Sequence, residues 1–141
     1  MAQVIFYEKP GCINNARQKK LLRLAGHTVV AKNLLTENWA ENSLYLRAFF
    51  DDKPVAQWFN RSAPMIKQGF INPDGIDEQQ AISLIIADPL LIRRPLMQVG
   101  VEKLAGFIEQ EIDHWIGLSP SETDNDLESC PQASEQRCHE Y

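Results

Sequence analysis

Three cysteines in 141 residues are too few, and wrongly numbered, for a disulfide framework. No C-x-x-C pair is present either, because the position three residues after Cys12 is Asn15. The chain lacks any apolar run of the length, about 18 residues or more, that a membrane span needs. Its start, MAQVIFYEKPGC, has neither the basic n-region nor the apolar h-region of a secretory signal. Residues 1–118 show no basic excess, with 13 acidic and 13 basic side chains, so the electrostatic footprint of a nucleic-acid binder is missing. These absences give the expectation of a cytoplasmic protein with free or redox-active thiols and with no nucleic-acid or membrane partner.

The formal charge of −5 belongs to residues 119–141, which hold six carboxylates and a single base, Arg137. That segment has one Leu and one Tyr and no Ile, Val, Phe, Met or Trp. It lacks the apolar area that offsets ordering entropy. The expected organisation is one domain over 1–118 and a disordered acidic tail over 119–141 that carries Cys130 and Cys138. With 44% hydrophobic residues overall, the body has ample material for one core.

Within the body, QVIFY (3–7) reads as a buried strand bounded by a Pro-Gly turn. Helix-favouring residues run from Asn14 to Ala25, with Leu21, Leu22 and Ala25 on one side. A second strand follows over 28–35, so the first third reads as β-α-β with parallel strands. The pattern then predicts a helix over Thr36–Phe50 anchored by Leu44, Leu46, Phe49 and Phe50, and a short helix over 52–59. NRSAPMIKQG is expected to be loop, NPDG (72–75) a turn, and Asp77 the cap of a helix running to Ala87. A strand at Leu96–Val99, its hairpin partner at EKLAGF and a last helix to Leu118 complete the chain. The order βαβ, helical middle, ββα is that of an α/β, thioredoxin-like fold with a helical insertion. His27 is expected at a turn or sheet edge, His114 in solvent, and Trp115 in the core.

Cys12 stands where a strand and turn give way to a helix. There its sulfur lies beside backbone N–H groups without intrahelical acceptors and at the positive end of the helix dipole, both of which favour thiolate over thiol. The same position also suits a small, inert, buried residue. If disulfide chemistry occurs, the missing partner at position 15 requires an external thiol such as glutathione, or a tail cysteine. Arg17 lies more than a turn along the helix and is a poor neighbour for the sulfur.

FYEKPGC followed by a helix, FNRSAP at 59–64 and DPLLIRRPLMQVG at 88–100 together resemble the arsenate reductase/Spx family of thioredoxin-like proteins. FYEKPGCINN and IRRPLMQVG resemble, more narrowly, its nitrogenase-associated branch. The resemblance covers residues 3–118. It implies that Cys12 is the nucleophile, that Arg61 and Arg94 bind an anion, and that Pro95 is a cis-proline facing the cysteine. It further implies nitrogenase-system proteins as partners. Ala16 stands where the family has an arginine close behind the cysteine. Gly106 and Phe107 stand where a third oxyanion arginine would fall, while Arg93 reads as an ordinary structural charge. Cys130 and Cys138 are candidate resolving thiols. No metal ligand set and no tightly bound cofactor are expected, glutathione being a candidate reductant. The expected function is thiol-redox chemistry at Cys12 in association with nitrogen fixation. The alternatives are a non-catalytic accessory protein of the nitrogenase system and metal or molybdenum handling by the tail thiols.

Overall fold

The computed structural model describes residues 1–118. Strand β1 (Gln3–Glu8) leads through α1 (Ile13–Leu24) into β2 (Thr28–Asn33), and β1 and β2 pair in parallel with Gln3 opposite Thr28. Strands β3 (Leu96–Val99) and β4 (Glu102–Ala105) form an antiparallel hairpin. β3 adds antiparallel to the other side of β1, giving the sheet order β2-β1-β3-β4. Between the halves lie α2 (Ser43–Ala48), α3 (Pro64–Lys67) and α4 (Glu78–Ala87), with 3₁₀ turns at Val55–Trp58, Pro73–Gly75 and Pro89–Leu91. Helix α5 (Glu109–Ile116) closes the domain.

The two-residue period of a strand sorts side chains to opposite faces of the sheet. Val4 and Phe6 of β1 and Met97 of β3 join Leu22 of α1 and Ile112 of α5 in one core. Tyr7 and Leu96 point the other way, into a larger core with Trp39, Leu46, Phe49, Phe50, Trp58, Phe59 and Ile85. Central β1 is therefore covered on both faces, whereas edge strand β2 has no fully buried residue. Asp77 caps α4 as its sequence position predicts. Its carboxylate accepts from the Gln80 amide at 2.8 Å, and the Gln80 side chain accepts from the Asp77 amide at 3.2 Å.

Two expectations need correction and a third needs completing. The helix predicted over Thr36–Phe50 forms only at Ser43–Ala48, because Asn33 and Asn38 side chains accept from the amides of Leu35 and Glu41 and hold turns instead. Trp39 is tucked beneath those turns with its indole donating to the Leu34 carbonyl at 2.9 Å. Leu44 consequently stands on the solvent side at 85% exposure, while Leu46, Phe49 and Phe50 are buried. Residues predicted as loop after Phe59 include one helical turn, α3, opened by Pro64, whose fixed φ suits a first helical position.

His27 is the third. It keeps its expected place between the Gly26 turn and edge strand β2, and it is buried there. Nδ1 accepts from the Ala2 amide at 3.0 Å, and Nε2 lies 2.7 Å from the Gly117 carbonyl. A carbonyl can only accept, so the ring is the neutral Nε2–H tautomer and bridges the start of β1 to the end of α5. His114 is exposed and Trp115 packs partly buried against the smaller core.

Replacing His27 by Ala strips both backbone groups of their partner. It is expected to cost about 1–3 kcal/mol in urea unfolding. Tyr7 gives a pH prediction. Its hydroxyl lies 3.0 Å from that of Tyr45, which in turn donates to Gln98. Burial first, then the Tyr45 hydrogen bond, pushes the Tyr7 phenol well above its ordinary 10.0. The fold thus favours the protonated phenol, and its stabilising contribution is complete below that value and falls as pH rises above it. Unfolding midpoints should drop more steeply above about pH 10 for the wild type than for Tyr7→Phe.

Candidate functional site

Lys9-Pro10-Gly11-Cys12 forms a tight turn in which the Cys12 amide donates to the Lys9 carbonyl at 3.1 Å. Proline suits its second position, and Gly11 takes the left-handed φ of +84° that the third position demands. The turn delivers Cys12 as the N-cap of α1, with φ −74° and ψ 122°, and its carbonyl accepts from the Ala16 amide at 3.1 Å. The thiol makes no capping hydrogen bond and the residue is 5% exposed. Ala16 and Arg17 both face solvent.

What lies beneath this turn was not legible as an apolar helix face. The buried residues of α1 are Asn14, Asn15, Gln18 and Leu22. Asn15 accepts from the Lys9 amide at 3.1 Å and donates to Gln18 Oε1 at 2.8 Å. Asn15 therefore ties the Cys12 turn to the helix that follows it. A buried amide network fixes geometry better than an apolar contact, because each group must meet its partner.

Pro95 immediately precedes β3, at the same end of the sheet as this turn. The register sets Tyr7 opposite Leu96, so Pro95 falls one step beyond, beside the chain leaving β1 for Cys12. The Arg94–Pro95 bond is cis.

Arg61 and Arg94 line a single cavity of about 440 Å³, together with Lys53, Gln57, Arg93 and Glu111 among others. A short antiparallel pairing assembles it. Phe59 bridges to Ile92, the Arg93 amide donates to the Trp58 carbonyl at 2.9 Å, and the Asn60 amide donates to the Leu91 carbonyl at 2.8 Å. Four cations and one carboxylate face the space. Arg61 pairs with Asp74 at 2.9 Å, and Lys53 lies 3.7 Å from Glu111. Both members of the Arg61 pair are more than half exposed, where such pairs are worth about 0–1 kcal/mol and yield readily to another anion. Cys12 is not among the lining residues. Cys130 and Cys138 lie outside the described residues.

Arg93, expected to be an ordinary structural charge, is thus a member of the cationic wall. Gln57 and Lys53 join it unannounced, since nothing in a linear pattern shows that the Val55–Trp58 turn folds against residues 91–93. Among the described residues, no group of three or more His, Cys, Asp or Glu is placed to hold a metal ion, and no helix is long and apolar enough to cross a membrane.

The model of the ArsC family matches residues 8–115. An uncharacterised 15.7 kDa protein in the draG 3′ region of Rhodospirillum rubrum is 48% identical over 141 residues, spanning 99% of this chain and 96% of that protein. Among solved structures, an ArsC-family-related protein from Bacteroides fragilis superposes with a TM-score of 0.65 at 21% identity. It covers 79% of this chain and 97% of its own. Arsenate reductase from Vibrio cholerae superposes with a TM-score of 0.58 at 16% identity, over 74% of this chain and 90% of its own. These likenesses, with the sheet order and the helices on both faces, show the thioredoxin-like α/β fold.

Asn15→Ala strips the Lys9 amide and the Gln18 side chain of these partners. A loss of about 1–3 kcal/mol is expected in chemical unfolding. Cys12 alkylation by iodoacetamide, followed by peptide mapping, should become faster as the turn loosens.

Proposed function

The chain belongs to the ArsC family, and on that premise we propose that it is a thiol-disulfide oxidoreductase working through the single cysteine Cys12. The observation that carries this reading is the seat of Cys12. It is the N-cap of α1, set by a Pro-Gly turn at the end of the central strand, at the sheet end where cis Pro95 enters β3.

The chemistry needs three exchanges. The Cys12 thiolate attacks one sulfur of a substrate disulfide, forms a mixed disulfide and releases the other sulfur as thiolate. A first glutathione thiolate attacks the Cys12 sulfur of the mixed disulfide, releasing the second substrate thiolate and leaving Cys12 bonded to glutathione. A second glutathione thiolate attacks the glutathione sulfur of that adduct, forming glutathione disulfide and freeing the Cys12 thiolate. The substrate is reduced and glutathione is oxidised, two thiols being consumed per disulfide. Asn15 stands where a second cysteine would make an internal disulfide, so the reductant in this reading is an external thiol. Arg61 and Arg94 hold the anionic groups of substrate or reductant, since a guanidinium fork matches a carboxylate or a tetrahedral oxyanion.

We assign this activity to the nitrogen-fixation system. Support comes from the FYEKPGCINN and IRRPLMQVG elements and from the relative in the draG 3′ region of Rhodospirillum rubrum. Nitrogenase-system proteins are the proposed partners, and the cytoplasm the proposed location.

The test is glutathione-coupled reduction of hydroxyethyl disulfide by the full chain. Turnover is expected to fall by about 100-fold or more in Cys12→Ser, and a glutathione adduct should map to Cys12 in the wild type. The double variant Cys130→Ser/Cys138→Ser should keep its rate. No turnover and no adduct in the wild type would overturn the redox reading in favour of a non-catalytic accessory protein.

A further inference from the structure

Gly106 follows β4 and is buried, with φ of +87°. A left-handed φ alone admits Asn as well as Gly. The surroundings are stricter. A Cβ at this position would stand 2.5 Å from Arg93 Nε, 2.7 Å from Cζ and 2.8 Å from Nη2. The Arg93 guanidinium therefore lies directly on the bare backbone of Gly106, and any side chain there would displace it.

The hairpin brings the two residues within reach of each other. Leu96 pairs with Ala105, and the Gly106 amide donates to the Pro95 carbonyl at 2.8 Å. Ahead of Pro95 the chain is Arg94 and then Arg93, two residues from the partner of Gly106. On its other side Arg93 is held by backbone: its amide bonds to the Trp58 carbonyl, and Nη1 lies 3.4 Å from the Gln57 carbonyl. Backbone from two separate segments thus seats this guanidinium within the cavity that Arg61 and Arg94 also line.

The cavity itself speaks to ligand class. Its lining mixes Lys53, Arg61, Arg93 and Arg94 with Phe59 and Ile108, so charge is distributed around apolar wall. This suits a molecule with an organic body and more than one anionic group.

We propose that Arg93, seated on Gly106, is a third ligand-binding guanidinium of this cavity, and that the cavity takes a small organic molecule with at least two anionic groups. The inference rests on the anion-holding role proposed above for Arg61 and Arg94, and it deepens that role.

Calorimetric binding to the full-length reduced protein tests it, with glutathione as a dicarboxylate probe and inorganic sulfate as an oxyanion probe. Glutathione should bind more tightly than sulfate. Arg93→Ala should weaken glutathione binding about tenfold, the scale of one charge-assisted contact, and Arg93→Lys should recover only part of it. Gly106→Ala should weaken binding similarly in the wild type and add nothing in Arg93→Ala. Its cost in melting temperature should also be smaller in that background, where the guanidinium is gone. Should Gly106→Ala not fold, the two Arg93 variants decide the matter by themselves. Unchanged affinity in Arg93→Ala overturns the proposal, as does sulfate binding as tightly as glutathione. The redox reading fails separately: an inert Cys12 with an Arg93-dependent glutathione affinity removes the oxidoreductase and leaves this cavity standing. Turnover at Cys12 without an Arg93 effect does the reverse.

Discussion

Everything in this domain hangs on the pairing of β3 against β1. Tyr7 opposite Leu96 sends Val4, Phe6 and Met97 into the core under α1 and α5, and Tyr7 and Leu96 into the core under the helical middle. A slip by one residue would exchange the two faces and send each buried side chain towards the wrong core. The same register places Pro95 beside the chain that climbs from Glu8 to Cys12. It also carries the hairpin outward to set Gly106 against Pro95 and Arg93. Core, cysteine and cationic cavity are thereby positioned from a single strand pair.

A second, smaller pairing does for the cavity what the sheet does for the core. The contact of residues 58–60 with 91–93 is only a few hydrogen bonds long. It nonetheless joins the insertion to the entry of β3 and brings Arg61 to the same space as Arg93 and Arg94. Aromatic packing stiffens this region from below. Trp58 stacks on Phe50 at 4.8 Å, takes the Arg47 guanidinium over its ring at 4.6 Å, and donates its indole N–H to the Lys53 carbonyl at 2.8 Å. Guanidinium groups on a rigid base lose less freedom when a ligand arrives, which raises affinity without any additional contact.

Cys12 and the cavity are built by different means. The turn at Lys9–Cys12 is local, made by Pro10 and Gly11 and braced by Asn15, so its geometry is set within a few residues. The cavity gathers side chains from positions 53 to 111. A protein built this way can keep its cysteine turn fixed while the cationic wall changes. The departures of this chain fit that division, since Cys12 and its turn are intact whereas the arginine pattern is altered at Ala16 and at Gly106 and Phe107.

The strands, the capped helix α4, the βαβ start and the ββα end were legible in the sequence, because local rules govern them: two-residue periodicity, a Pro-Gly turn and an Asp-x-x-Gln capping pair. Cys12 at the helix entrance was legible for the same reason. Tertiary structure decided the rest. Asn33 and Asn38 competed with the helix for backbone amides and shortened it, and burial of Trp39 held that outcome. Burial also made His27, at its turn ahead of β2, a bridge between Ala2 and Gly117, two positions 115 residues apart in the chain. Arg93 looks in the sequence like any neighbour of Arg94. Its place on Gly106 exists only once β3 and β4 have paired, because the space for its guanidinium is made by a missing Cβ at the residue that follows β4.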